Sequence, residues 1–421
     1  MVLAERVAAG YHLPLPSLRV QVVPHAISNV TKAVAAEMMA RFQTSVKEAI
    51  FAKLEDNIAS TVAQADVLMG AALQHIEHDG DEETAAELYR SRGWLDGLPI
   101  VLPTAARVER MLGALAPQRL RVLGHVAPKG AVLTLESLAV NAVMAGCAPA
   151  YFPAVVAAAR SVLDPRFNLL TTSTTTNAAS PLFIACGPIA GQIGIQGGND
   201  LLGSYHRANI TIGRAIRLVM IAVGEARPND GDMATQGHGA KVGVCITESE
   251  SPWEPLHVEL GCDASESAIV ALSACAQFNI LDFGSRNADD LLDTVARTMA
   301  VPGLQNAQTS GGPIILFGIE HARILANAGL SKADVKRRLF EQARIPISSF
   351  GRDTVEDIIK VRRPQWGLAE RNPSRMIPVA DEIDEITILV GGGEGQHSVL
   401  MPTFHTPRPV LAKVGKDGLG G

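Results

Sequence analysis

The chain has 421 residues, and at roughly 150 residues per domain that allows two or three domains, or one large domain with an appendage. Hydrophobic residues make up 47% and aromatics only 4%, the composition of a globular protein whose core is helices packed on sheets through aliphatic side chains. The net charge of −6 is dispersed. The densest basic clusters, at 336–338 and 361–363, read as solvated helix faces rather than as a nucleic-acid surface.

The five cysteines, Cys147, Cys186, Cys245, Cys262 and Cys275, are odd in number and widely spaced. With no CxxC they form neither a zinc ribbon nor a disulfide framework, and a reducing, cytoplasmic location is expected. The N-terminus lacks an apolar run of signal-peptide length. Nowhere do about 18 apolar residues run on uninterrupted, so no membrane span is expected.

Residues 18–23 read as a buried strand ended by Pro24. Ser28 and Asn29 can cap the helical pattern that follows from Val30 to Leu54, and a second helical stretch covers about 60–76. The acidic run at 78–83 reads as a linker. These signals define an N-terminal appendage at 1–77, too small to fold alone, and a main α/β domain at 83–421. The main domain opens with a short helix near 83–92. A turn-rich segment with Pro99 and Pro103 follows, then a helix capped by Thr104. A strand is expected at 120–124, apolar helices at 134–145 and 151–163, and a strand at 181–188. A Gly-rich stretch leads to an amphipathic helix over 207–223. Strands at 241–247, 267–274 and 313–319 and helices around 321–329 and 331–344 complete the alternation. A last strand at 385–390 runs into a Gly-rich loop through Ser398. Alternating strands and helices give an α/β class.

Five segments carry side chains fit for chemistry. In ITILVGGGEGQHS, Gly391, Gly392 and Gly393 let a backbone approach a ligand and offer N–H groups to an anion, with His397 and Ser398 alongside. Neither GxGxxG with an acidic partner nor GK[ST] is present, so no nucleotide fingerprint exists. GHGAKVGVC followed by SPWEPLHVE offers His238, Lys241, Cys245, Trp253, Glu254, His257 and Glu259, a set suited to acid–base work or, with spacing that matches no zinc pattern, to a metal. Cys147 lies at the end of an apolar helix, where the dipole opposes a thiolate. Asp96 and the guanidinium of Arg107 suit an acid–base group and a carboxylate clamp. The hydroxyls of TTSTTTN at 171–177, together with Asn199, Tyr205, His206, Arg207 and Asn209, suit a polar substrate. Each has a plain structural alternative: a tight turn, a packed side chain, a strand edge or a solvated helix face.

Taken together, WLDGLPIVLPTAARVERML, AVNAVMAGCAPAYFP, RANITIGRAIRL, SPWEPLHVE, HARILANAGLSKADVKRRL and GGGEGQHS resemble bacterial proteins found with the UGSC-motif (seleno)protein family, over about residues 85–410. LPSLRVQVVPHAISNVTKAV resembles the C-terminal end of a UGSC-motif protein itself. The resemblance implies that the appendage is the last strand and helix of a Rossmann-like unit. The family's Cys/Sec-Gly-Ser-Cys signature is absent, so the resemblance places the reactive thiol or selenol on a separate subunit.

The leading expectation is a subunit of a heteromeric, oligomeric small-molecule enzyme. It carries out hydrolase or lyase (hydratase-type) chemistry in a cleft with His238, His257 and His397 beside a partner thiol, and His257 and His397 are the preferred acid–base residues. Glu254 and Cys147 stand as further catalytic candidates. Arg107, Asp96, Asn199, Arg207, Gly391, Gly392, Gly393 and Ser398 are the substrate contacts. No cofactor motif is evident. The alternatives are a thiol–disulfide or selenol-dependent oxidoreductase, a metal-dependent hydratase using His238 and His257, and a scaffold subunit without activity.

Overall fold

The computed structural model describes residues 76–309, 311–358 and 374–415. Nearly all of them belong to one unit, Glu77–Val355 with Ala369–Gly421. The expected appendage at 1–77 lies outside the described residues apart from its last two positions.

The local elements follow from capping and patterning. Asp81 accepts from Thr84 N–H to start α1 (Glu82–Ser91), and Thr104 starts α2 (Ala105–Leu112). A hairpin of β1 (Val122–Val126) and β2 (Ala131–Thr134) leads to α3 (Leu135–Ala145). Thr134 and Ser137 form a capping box there that satisfies two orphan N–H groups of the first turn. Then come α4 (Phe152–Leu163), α5 (Leu169–Thr174), β3 (Ser180–Cys186), α6 (Pro188–Gln192) and α7 (Arg207–Ala222). The short pair β4 (Arg227–Pro228) and β5 (Gly231–Asp232) precedes β6 (Val244–Ile246), α8 (Leu256–Glu259) and β7 (Ala268–Ala274). The remainder is β8 (Phe278–Leu281), α9 (Ala288–Met299), α10 (Gln305–Gln308), β9 (Ile314–Phe317), α11 (Ile319–Asn327) and α12 (Lys332–Gln342). β10 (Arg344–Pro346), β11 (Met376–Pro378), β12 (Thr387–Val390), β13 (His397–Met401) and β14 (Val410–Lys413) close the unit.

Two four-stranded sheets organise these elements. One has the order β14-β7-β3-β6, the other β12-β9-β13-β8. Each holds one parallel pair, β3 with β6 and β12 with β9. Each parallel pair is joined through helices, as a βαβ crossover requires. The remaining neighbours are antiparallel.

Strand alternation turns each sheet into two packed faces. Leu182, Ile184, Val270 and Leu272 of the first sheet meet Ile314, Leu316, Leu389 and Met401 of the second in one buried cluster. The opposite residues, Phe183, Ala185, Cys245, Ile269 and Ala271, join a cluster with α3, α4 and α7. On the outer face of the second sheet, α9 packs on β8, α11 on β13 and α12 on β12. The architecture is therefore four layers, helix–sheet–sheet–helix, within a mixed α/β class. Among the described residues no helix is long and apolar enough to cross a membrane.

Two expectations are corrected. Residues 171–174, for which a polar strand edge stood as the plain alternative to substrate contacts, close a short helix. Thr174 Oγ1 donates back to Leu170 O (2.9 Å), and Thr172 Oγ1 turns inward to Ser273 Oγ (3.1 Å). The Gly-rich loop ends before His397, because His397–Met401 is a strand paired on both sides. Its alternating apolar residues serve both faces of the second sheet.

Candidate active site

The candidate side chains gather at two ends of the sandwich. β3 has seven residues, so at about 3.3 Å per residue the two ends stand some 20 Å apart.

At the carboxyl ends of β3, β6, β9 and β12 the two Gly-rich stretches meet. Gly392 N–H donates to Gly197 O (2.8 Å), and Ser249 Oγ donates to the same carbonyl (2.7 Å). A Cβ on Gly393 would lie 1.4 Å from Asn199 Oδ1, so glycine is required there for the loops to close. Glu248, which the sequence pattern did not single out, accepts Val390 N–H (3.3 Å) and Leu256 N–H (2.7 Å). Lys332 lies 3.9 Å away. Burial raises the Glu248 carboxyl above its ordinary value, against the pull of Lys332. These bonds knot β12 to the segment after β6. Lys332 also donates to Glu254 O (2.8 Å), while the Glu254 side chain is exposed. Trp253 Nε1 donates to Leu330 O (2.8 Å) and its ring packs edge-on to Phe317.

His257 is buried, with its backbone N–H directed to the Cys186 thiol and neither ring nitrogen hydrogen-bonded. His397 lies on the second sheet, bonded to Asn279 Oδ1 (3.2 Å) and edge-on to Phe283. Ser398 is buried and accepts Gly318 N–H (3.2 Å). Its hydroxyl meets His321 Nδ1 (2.8 Å), whose other nitrogen faces Asp282 O (3.2 Å). Nε2–H therefore donates to Asp282, and Nδ1 accepts from Ser398.

The other end is built around His238. Gly213 of α7 and Gly243 approach so closely that a Cβ on Gly243 (φ +110) would lie 2.2 Å from Gly213 C. That contact seats residues 239–243 against α7. One helical turn beyond Gly213, Arg217 Nη2 donates to Asp232 Oδ2 (3.0 Å). Lys241 Nζ donates to both oxygens of the same carboxylate (2.9 and 2.7 Å). The Asp232–Lys241 pair thus ties together the two ends of the loop that carries His238. Thr235 N–H donates to Thr176 O (3.0 Å) and Ser180 Oγ to Ala240 O (3.4 Å), which brings the TTSTTTN segment alongside.

His238 lines a cavity of about 10 Å³ with Ser180, Ala240, Ala274, Gln277 and Met401, a space of about one water molecule. Its Nε2 is buried and has no hydrogen-bond partner. Burial lowers the His238 pKa, the Lys241 charge adds to this, and the Ala274 backbone opposes it. Burial against Lys241 and Arg217 acts on Asp232 in opposite senses, and the cations hold it below its usual range. Lys241 is itself lowered, burial outweighing Asp232.

The structure does not bring His238, His257 and His397 into one cleft, because strand β3 separates His238 from His257 and the other sheet carries His397. Other expected contacts are occupied within the fold. Asp96 is held by Arg214 through two bonds (2.7 and 2.9 Å), and Arg214 also donates to Pro99 O (2.9 Å). Arg107 donates to Leu102 O (3.0 Å), and Arg207 donates to Gly146 O (2.9 Å) at the C-terminus of α3. The Cys147 thiol donates to Thr211 O (3.2 Å), and burial pushes it up to about 12. Burial likewise raises Cys245 and Cys275 to about 12, and raises Cys186 and Cys262. Among the described residues no group of three His, Cys, Asp or Glu side chains is arranged to hold a metal.

Sequence reasoning picked out His238 and Lys241 but missed Asp232, Arg217 and Gln277. The available signal was an arginine on the apolar side of a strongly amphipathic helix. No protein-family model and no curated protein matches the chain.

Proposed function

We propose that this chain is an acid–base enzyme, or the subunit of one, of hydrolase or lyase (hydratase) type, with His238 as the base that activates a water. The observation that carries the reading is His238 Nε2: buried and unpartnered, in an imidazole that lines a one-water cavity. Buried polar groups ordinarily have partners, and a water with two or three polar neighbours is the common one.

In the proposed step the neutral imidazole takes a proton from that water. The oxygen lone pair forms the new C–O bond to an electrophilic carbon, either an acyl carbon or the β-carbon of an unsaturated acid. The imidazolium then returns the proton to the leaving group or to the α-carbon. A neutral base near physiological pH suits this work. Lys241 and Asp232 act as positioning residues that hold the loop.

The cavity admits a water but not a substrate, whose body lies outside it. Met233 and Phe278, sequence neighbours of Asp232 and Gln277, are 50% and 40% exposed. A second chain covering the substrate is what the UGSC resemblance implies. The thiol–disulfide alternative draws no support from this chain's own cysteines, because all five are buried with raised pKa values. Thiol chemistry would need the partner.

The test is a turnover screen of the purified protein, alone and with any co-purifying chain, against esters, amides and α,β-unsaturated acids. His238→Gln is expected to lower the activity found by about 10²–10⁴-fold, the span for a general base, with an unchanged urea midpoint. Activity indifferent to His238→Gln contradicts the assignment.

A further inference from the structure

Resting on His238 as the reactive group, the charge beside it speaks to the substrate. Arg217 and Lys241 share one carboxylate, Asp232. Their side chains are only 11% and 16% exposed, and Asp232 is 6% exposed. Two cations on one anion leave one positive charge in excess, in a place where water screens it poorly. Among the described residues Arg217 makes a single hydrogen bond, through Nη2 to Asp232. Its other nitrogens are not among the sealed, unpartnered atoms, so they keep some access to solvent. A guanidinium with free N–H groups presents a planar fork that matches a carboxylate. The Gly213–Gly243 approach seats the His238 loop against the helix that carries Arg217, and Lys241 N–H donates to His238 O (3.0 Å).

We infer that Arg217 and Lys241 form an anion-binding subsite beside His238, and that the substrate of this site is a small carboxylate-bearing compound. A carboxylate fits better than a phosphate. One excess positive charge neutralises a monoanion, whereas a dianion keeps a charge facing Asp232.

The probes are oxamate, its neutral analogue oxamide, and inorganic phosphate, titrated into the full chain. Binding is read by calorimetry and by the ring resonances of His238. Oxamate shifts those resonances saturably, and oxamide does not. Arg217→Gln weakens oxamate binding about tenfold or more, the usual worth of a hydrogen bond to a charged group. Arg217→Lys, which keeps the charge and guards against a folding artefact, binds more tightly than Arg217→Gln. His238→Gln still binds oxamate by calorimetry. The subsite can therefore fail while His238 remains the base, and the base can fail while the subsite stands. The inference is overturned if oxamate gives no saturable response, if oxamide binds as well, or if phosphate binds more tightly. It is also overturned if neither Arg217→Gln nor Lys241→Met changes oxamate binding.

Discussion

The three candidate histidines meet three different fates. His397 is exposed and bonded to a side-chain amide, His257 is sealed in a core, and His238 lines a cavity. At His238 burial and a neighbouring cation both disfavour the charged ring. Its folded-state pKa lies below the ordinary 6.5, so the unfolded chain binds the extra proton first as pH falls. The stability linked to this group is complete above pH 6.5 and declines below it. A base with such a pKa also gives kcat/KM an acidic limb below about 6.5 and a plateau above it. A limb centred above that value would contradict the assignment. The cysteines give a second expectation at this scale. With all five buried, a colourless-to-yellow disulfide reagent should find no fast thiol in the native protein and all five after denaturation. A residue's chemistry was legible in the sequence and its surroundings were not. The pattern GHGAKVGVC marked His238 and Lys241, but only the fold supplies Asp232 from β5 and Arg217 from α7.

Elements built by local rules were the most legible. Ser331 forms the capping box of α12 with Asp334, and the β-branched runs at 267–274 and 313–319 are strands β7 and β9. Elements whose residues serve distant partners were less so. His397–Met401 followed a glycine run that suggested continued loop, yet its pairing with β8 and β9 decides its form. Thr174 bonds within its helix and Thr172 bonds to β7, which no strand-like spacing foretells. The loop from Asp232 to Lys241 makes an element-scale prediction. Asp232→Ala strands two cations of low exposure, and breaking such a buried pair costs about 3–5 kcal/mol. Urea unfolding should show that loss, with broadened His238 resonances in the folded variant. A cost under about 1 kcal/mol, the range of surface pairs, would mean that the ion pair does not hold the loop.

For the whole molecule, alternation of strands and helices was enough to give the α/β class. The division into two stacked sheets was not, because β3 pairs with β7 and β6 across long stretches of chain and sequence spacing carries no record of that choice. The inter-sheet layer makes its own prediction. Leu272 is fully buried between the sheets, and Leu272→Ala should cost about 2–5 kcal/mol through lost burial and the cavity left behind. Because the layer joins both ends of the sandwich, that loss should appear in a single unfolding transition.

His238 as a neutral, water-holding base is tested most directly by long-range ¹⁵N–¹H correlation spectroscopy of its ring at pH 7, followed through a titration. The expected result is one protonated and one bare ring nitrogen, a midpoint below the ordinary histidine value of about 6.5, and resonances that move with oxamate. An imidazolium at pH 7, or a midpoint above that value, would contradict the assignment of His238 as the base.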